Sequence, residues 1–132
     1  MNLHHIAIAV RNLDEALAFY QDALGLELAE RRAVPEEGVE IAFLPAGEAE
    51  LELLQPLSAE GGVAGFLEKR GEGLHHICLK VPDIDAAMEQ LKAGGARLLS
   101  DAPKTDAHGT RYVFVHPRSA HGVLLELYEV RE

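Results

Sequence analysis

The most constraining feature of this chain is an internal repeat. The tripeptide His-His-Ile occurs at His4–Ile6 and again at His75–Ile77. A shift of 71 residues superimposes the two copies and keeps matching identical residues further along: Val10 with Val81, Asp14 with Asp85, and Ala16 with Ala87. Such a period indicates two copies of one supersecondary unit, neither of which buries its apolar face alone. The chain is therefore expected to fold as two similar halves.

Each half predicts one helix among four strands, in the order βαβββ. In the first half, apolar periodicity predicts strands at 5–10, 27–32, 39–44 and 50–54, and a helix at 13–24 that Asn12 caps and Gly25 ends. A short helix at 63–70 leads to the second half. There, Asp83 caps a helix that runs to Lys92, and strands are expected at 76–81, 97–100, 111–116 and 122–130. We expect one α+β domain over residues 1–132, with repeats at 1–57 and 72–132 forming a pseudo-symmetric curved sheet around a metal cleft.

Two histidines and two glutamates stand at matching places in the halves. His5 and His76 begin equivalent strands, and Glu52 and Glu126 lie on later strands among leucines. A lone carboxylate is costly to bury in such surroundings unless a cation accompanies it. Two imidazoles and two carboxylates suit a divalent ion, with Co²⁺ favoured and Zn²⁺, Ni²⁺ or Mn²⁺ as alternatives. The repeat therefore predicts one metal site on these four side chains.

Composition limits the class of partner and the compartment. The net charge of -10 argues against nucleic acid, since a phosphate-binding surface needs clustered Lys and Arg. Cys78 is the single cysteine, so no internal disulfide forms, which fits a reducing compartment. The sequence has neither a leader-like segment nor an apolar run long enough to span a bilayer. We expect a cytoplasmic protein that contacts neither membrane nor nucleic acid.

Four stretches resemble a known family: Leu3–Val10, Gly38–Ile41, Gly73–Ile77 and His116–Leu127. The first is common across the vicinal oxygen chelate superfamily, which includes glyoxalase I, extradiol dioxygenases and fosfomycin-resistance proteins. The last two are more characteristic of its epimerases. Over essentially its whole length, the chain most resembles the methylmalonyl-CoA epimerase family.

The resemblance implies an activity and a site. It places the metal on His5, Glu52, His76 and Glu126, the same set that the repeat selects. It implies interconversion of (R)- and (S)-methylmalonyl-CoA by proton abstraction and return at C2, through a metal-stabilised enolate. Glu40 and Glu126 would be the acid–base groups, and Glu40, on one strand face with Ala42 and Leu44, is expected to point toward the cleft. A CoA thioester substrate and a homodimer are also implied.

Two other activities remain open on sequence grounds. A lactoylglutathione lyase of the same fold would use nearly the same four ligands, so ligand identity does not separate it from an epimerase. A metal-free small-molecule-binding protein of this fold is the second alternative, although such proteins typically lack these ligands. An extradiol dioxygenase is less favoured, because it uses two histidines and one carboxylate with Fe²⁺.

Several other polar residues are interpreted as structural or superficial. His4 and His75 point to the opposite face from their neighbours, and are expected beside the site or on the surface. Gln55 lies three residues past Glu52, projects from the other face, and is not counted as a ligand. Lys104 and Arg111 could contact a CoA phosphate, but ordinary surface charge is the favoured interpretation.

Overall fold

A computed structural model describes residues 1–131, and the chain forms two compact units within it. The first unit comprises His5–His75, and the second comprises Met1–His4 together with the chain from His76 onward. No helix among the described residues has both the length and the apolar character needed to cross a membrane.

The first unit holds a sheet covered by helices. Its elements are β1 (Asn2–Ala9, which enters this unit at His5), α1 (Leu13–Leu17), which continues as a π-helix (Ala18–Ala23), β2 (Glu30–Val34), β3 (Val39–Ala46), β4 (Ala49–Pro56) and α2 (Gly62–Arg70). The strand order is β2-β3-β4-β1. β1 runs parallel to β4, and the other neighbours are antiparallel.

The second unit repeats this arrangement. Its elements are β5 (Gly73–Val81, which enters this unit at His76), α3 (Ile84–Ala93), β6 (Lys104–Thr105), β7 (Arg111–Val115) and β8 (Leu125–Glu129). The strand order is β5-β8-β7-β6, with β5 parallel to β8 and the remaining pairs antiparallel. Both units therefore show the predicted βαβββ order, and the α+β class is confirmed.

The helix starts are fixed in the same way in both halves. The Asn12 side chain accepts a hydrogen bond from the Glu15 N–H at 2.9 Å, and the Asp83 side chain accepts one from the Ala86 N–H at 3.0 Å. These contacts satisfy backbone donors that the first helical turn leaves unpaired. Both predicted caps are confirmed.

Each helix is also tied to the last strand of its own half. Gln55 Oε1 accepts from the Leu13 N–H at 2.7 Å, and Glu129 Oε2 accepts from the Ile84 N–H at 2.9 Å. The Gln55 side chain therefore points to the helix side of the sheet, as predicted, and caps α1.

Each half-sheet has two faces, which we call the helix face and the site face. The helix face is the one that packs against α1 or α3. In the first unit the buried side chains on this side are Val10, Leu13, Leu17, Ala42, Leu44 and Leu53. In the second unit they are Val81, Ile84, Met88, Val113 and Leu127. The site face is the opposite one, and in the first unit α2 covers its far end through Val63 and Leu67.

Several predicted strands differ from the observed ones, and β1 and β5 begin three residues earlier than expected, at Asn2 and Gly73. The strand expected at 97–100 is wrong: only Leu98 forms a bridge, with Val115, and the edge strand is β6. β2 begins at Glu30 rather than residue 27, because Leu26 and Leu28 pack against the helix-face core before pairing with β3 begins. β8 begins at Leu125 rather than residue 122, because residues 117–122 form hydrogen-bonded turns.

Candidate functional site

His5 and Glu52 meet on the site face of the first unit. β1 and β4 pair in a register that aligns Ala7 with Glu52, so His5, two residues earlier on β1, lies diagonally across from Glu52 on the same face. His5 Nδ1 is 3.1 Å from Glu52 Oε2. Both residues are buried, at 5% and 7% exposure. Phe43 stands directly opposite Glu52 on β3, so this carboxylate lies beside an aromatic side chain.

His76 and Glu126 form the corresponding pair in the second unit. Cys78 is aligned with Glu126, and His76 precedes Cys78 by two residues on the same face. His76 Nε2 is 3.2 Å from Glu126 Oε1, and the two residues are 9% and 7% exposed. Phe114 lies opposite Glu126 on β7 and packs its ring edge against the His76 ring, with a centroid distance of 5.5 Å.

The two pairs match in composition, burial and surroundings. Each joins one imidazole to one carboxylate on the site face of its half, with a phenylalanine across the strand. These four are the buried polar or charged residues of the described chain. Neutral imidazole nitrogens and carboxylate oxygens are donors that suit borderline divalent ions. The donor chemistry therefore fits a metal of the predicted kind.

Glu40 lies on the other side of its sheet. The register pairs Glu40 with Gln55 and with Ala33, and it pairs Phe43 with Glu52. Residues opposite one another share a face, so Glu40 projects to the helix face, away from His5 and Glu52. The expectation that Glu40 points toward the same cleft is wrong. It does share a face with Ala42 and Leu44, but that face is the one that α1 covers.

Glu40 is instead part of an ion-pair cluster that ties β3 and β2 to α1. Arg31 Nε lies 3.0 Å from Glu40 Oε2, and Arg31 Nη1 lies 2.7 Å from Asp14 Oδ1. The side-chain hydrogen bonds to Glu40 and then to Asp14 raise the pKa of Arg31. Arg31 therefore connects the sheet to the first turn of the helix.

The second half contains the same connection. Arg111 Nη2 lies 3.0 Å from both Asp85 Oδ2 and Glu129 Oε2. Asp85 is the repeat partner of Asp14. The hydrogen bond from Arg111 lowers the pKa of Glu129 to about 2, against the opposing effect of burial, with further help from the Ile84 N–H and Arg131. Arg111 therefore joins β7 and β8 to α3, and the cluster around Arg31 is its structural counterpart in the first unit.

Comparison of the sequence with known protein families identifies the superfamily of this chain. The family model of the glyoxalase/bleomycin resistance protein/dioxygenase superfamily matches residues 4–114. The chain belongs to this superfamily. Within this superfamily, the resemblance to methylmalonyl-CoA epimerases is confirmed by individual proteins.

Two relatives and one solved structure illustrate the similarity. The mitochondrial methylmalonyl-CoA epimerase of Homo sapiens is 44% identical over 126 residues, which are 95% of this chain and 72% of the human protein. The ethylmalonyl-CoA/methylmalonyl-CoA epimerase of Cereibacter sphaeroides is 45% identical over 130 residues, 97% of each chain. A variant of Streptomyces coelicolor methylmalonyl-CoA epimerase, in complex with 2-nitronate-propionyl-CoA, superimposes with a TM-score of 0.90 at 35% identity, over 100% of this chain and 99% of that one.

The histidines that precede His5 and His76 are packed against aromatic rings. The His4 ring lies 4.7 Å from the Tyr128 ring, and the His75 ring lies 5.1 Å from the Phe66 ring. His116 Nδ1 accepts from the Arg118 N–H at 3.0 Å, which gives it a structural role in the turn that follows β7.

Sequence reasoning missed a polar contact on the site face of the second unit. Tyr128, two residues after Glu126, donates its hydroxyl to Asp106 Oδ2 at 2.9 Å. Burial raises the pKa of Tyr128 to about 12, and the Asp106 carboxylate acts in the same direction. Burial alone would raise the pKa of Asp106, but bonds from the Thr110 N–H, the Tyr128 hydroxyl and the His108 N–H outweigh it and lower that pKa. The sequence signal that could have revealed this contact is the position of Tyr128, two residues after Glu126 and so on the same strand face.

Proposed function

We propose that this chain is a methylmalonyl-CoA epimerase, which interconverts the (R) and (S) forms of the thioester by moving the proton at C2. The observation that carries the proposal is the pair of buried His–Glu contacts, one in each half, in a chain 44–45% identical to named epimerases over nearly its full length. The activity needs a group that stabilises negative charge beside C2, a base that removes the proton from one face of that carbon, and an acid that returns a proton to the other face.

The four side chains His5, Glu52, His76 and Glu126 would together hold one divalent ion, with Co²⁺ favoured over Zn²⁺, Ni²⁺ and Mn²⁺. When bound, such an ion supplies Lewis-acid stabilisation of the charge that develops on the substrate oxygens. Donor chemistry supports this assignment: two carboxylates that are both buried and both paired with an imidazole are otherwise costly to maintain in apolar surroundings. The repeat supports it as well, because both halves carry the same pair.

Glu126 is the carboxylate that we assign to proton transfer on one face of C2. It lies on the site face between Phe114 and Cys78, and its 7% exposure keeps bulk water away from the carboxylate. A carboxylate in this environment removes the C2 proton without first losing a full hydration shell. We do not assign a proton to Glu40, because its side chain is on the helix face and is bonded to Arg31.

Solvent-exchange measurements test the proposal directly. In D₂O, the purified protein supplied with Co²⁺ should incorporate deuterium at C2 of methylmalonyl-CoA and convert one epimer into the other, as followed by NMR. Glu126→Gln should lose at least about 100-fold in rate, which is the low end of what a general base contributes. Retention of full activity in Glu126→Gln would contradict the assignment of the base.

Each of the two alternative functions predicts a different result. A lactoylglutathione lyase would leave methylmalonyl-CoA unexchanged and would consume the methylglyoxal–glutathione adduct. A metal-free binding protein would show no metal by mass spectrometry, even after incubation with Co²⁺. The identity to epimerases over at least 95% of the chain favours the first function over both.

Homodimerisation and a cytoplasmic location are further proposals. The homodimer follows from the family resemblance, and the location is consistent with the lone cysteine, Cys78, which is buried and behaves as a small apolar side chain. Light scattering coupled to size exclusion would report the mass of the assembly, to be compared with the 14.4 kDa monomer. Fractionation of the source cells would locate the protein.

A further inference from the structure

The loop between β6 and β7 is organised by one carboxylate. Asp106 Oδ1 accepts from the backbone N–H groups of His108 and Thr110, each at 2.9 Å. The Asp106 N–H bonds to the Thr110 carbonyl at 2.9 Å, and the Gly109 N–H bonds to the Asp106 carbonyl at 3.1 Å. The tip of the loop, Ala107–Gly109, is exposed. Asp106 rather than core packing therefore sets the shape of this loop.

The other oxygen of the same carboxylate connects the loop to the site face. Tyr128 donates its hydroxyl to Asp106 Oδ2 at 2.9 Å. The register aligns Tyr128 with Tyr112, and it aligns Glu126 with Phe114, so these four side chains share the site face. Tyr128 is two strand positions from Glu126, a separation of about 7 Å along β8. The tyrosine ring is itself held by the His4 ring at 4.7 Å.

We propose that Tyr128 and Asp106 are positioning residues, which hold the 106–110 loop as a wall of the substrate site beside Glu126 and so contribute to binding of the CoA thioester. The proposal rests on the proposed function, because it takes the site face around Glu126 to be the place where the thioester binds. Neither residue touches the reacting carbon in this role. Their effect is to keep the loop in the conformation that binds, and loss of the Tyr128 hydroxyl reduces the fraction of protein in that conformation.

Binding of a non-reactive thioester provides the test. The probe is propionyl-CoA, titrated calorimetrically into the Co²⁺-supplied protein. Tyr128→Phe should weaken binding by about tenfold, the size expected for a hydrogen bond to a charged group. Asp106→Asn should weaken it by a similar factor or less, because the amide keeps only a neutral hydrogen bond to the Tyr128 hydroxyl. The double variant should be no worse than the weaker-binding single variant, since both changes act on one shared contact.

Matched controls separate positioning from a general loss of structure. Tyr20→Phe removes a phenol hydroxyl from the other unit and should leave propionyl-CoA binding unchanged. In turnover, Tyr128→Phe should raise KM by about tenfold and keep kcat within about threefold, because uniform binding is what the loop supplies. A purely structural role would lower kcat through loss of folded protein and leave KM unchanged.

Each outcome has a definite meaning. Binding by Tyr128→Phe within twofold of wild type would overturn the inference, and so would full additivity of the two single changes. Wild-type protein that binds propionyl-CoA without epimerising methylmalonyl-CoA would refute the proposed function, while the loop assignment would still be judged from the variants. Wild-type protein that binds no propionyl-CoA would overturn the inference.

Discussion

Glu40→Gln distinguishes the family expectation from the structure. The family resemblance implies that Glu40 carries a proton, in which case the amide would lose about 10²–10⁴-fold in rate. The structure places Glu40 on the helix face, bonded to Arg31, so we expect the variant to epimerise methylmalonyl-CoA within about twofold of wild type.

The effect on stability follows from exposure and geometry. The Arg31 and Glu40 side chains are 32% and 27% exposed, and Asp14 is 80% exposed, so solvent screens all three charges. Partly exposed ion pairs contribute about 0.2–1 kcal/mol, and glutamine keeps an oxygen that Arg31 Nε can bond. We therefore expect a loss of about 0.5 kcal/mol in the free energy of unfolding, or about 1–3 °C in Tm.

The assay combines turnover with thermal unfolding on the same preparation. Glu30→Gln is the matched control, because Glu30 forms a comparable surface ion pair with Arg32 at 3.2 Å and has no proposed role. Glu126→Gln is the control for loss of a proton carrier. A fall of 100-fold or more in Glu40→Gln, with Tm unchanged, would refute the assignment of faces and restore Glu40 as an acid–base group.

The remaining predictions concern the acid stability, the metal and the helix cap. The pKa of Glu129 is lowered from 4.5 to about 2, so its contribution is fully present above pH 4.5 and is lost as the pH falls through about 2. The difference in unfolding free energy between wild type and Glu129→Gln should therefore be about 1–2 kcal/mol near neutral pH, after allowance for solvent screening of the partner charges. Denaturant titrations should show this difference shrinking as the pH falls from 4.5 to 2. His76→Ala should weaken Co²⁺ binding, measured by calorimetry, by more than the 10–100-fold typical of groups that only orient a ligand, and unchanged affinity would remove His76 from the metal set. Asn12→Ala should lower stability by about 1 kcal/mol in thermal melts, with Asn2→Ala as the exposed control, because it removes the cap from α1.

The order of elements, the helix starts and the candidate site residues could be predicted from the sequence, because their signals are local and occur twice. The repeat gave the βαβββ order of both halves, and the short polar side chains Asn12 and Asp83 marked the helix starts, since a cap depends only on residues three positions away. The same repeat selected His5, Glu52, His76 and Glu126, and the structure places them as two His–Glu pairs.

Only the tertiary structure showed which face of each strand is covered by a helix and which face carries the candidate site. Alternation showed that Glu40 shares a face with Ala42, but only the packing of α1 on that face determined that Glu40 meets Arg31 rather than the site. The Tyr128–Asp106 contact joins residues 22 positions apart, across a turn whose shape no local pattern specified. Period-two alternation fixes which side chains lie together and not which side is covered, because covering depends on where the next helix packs.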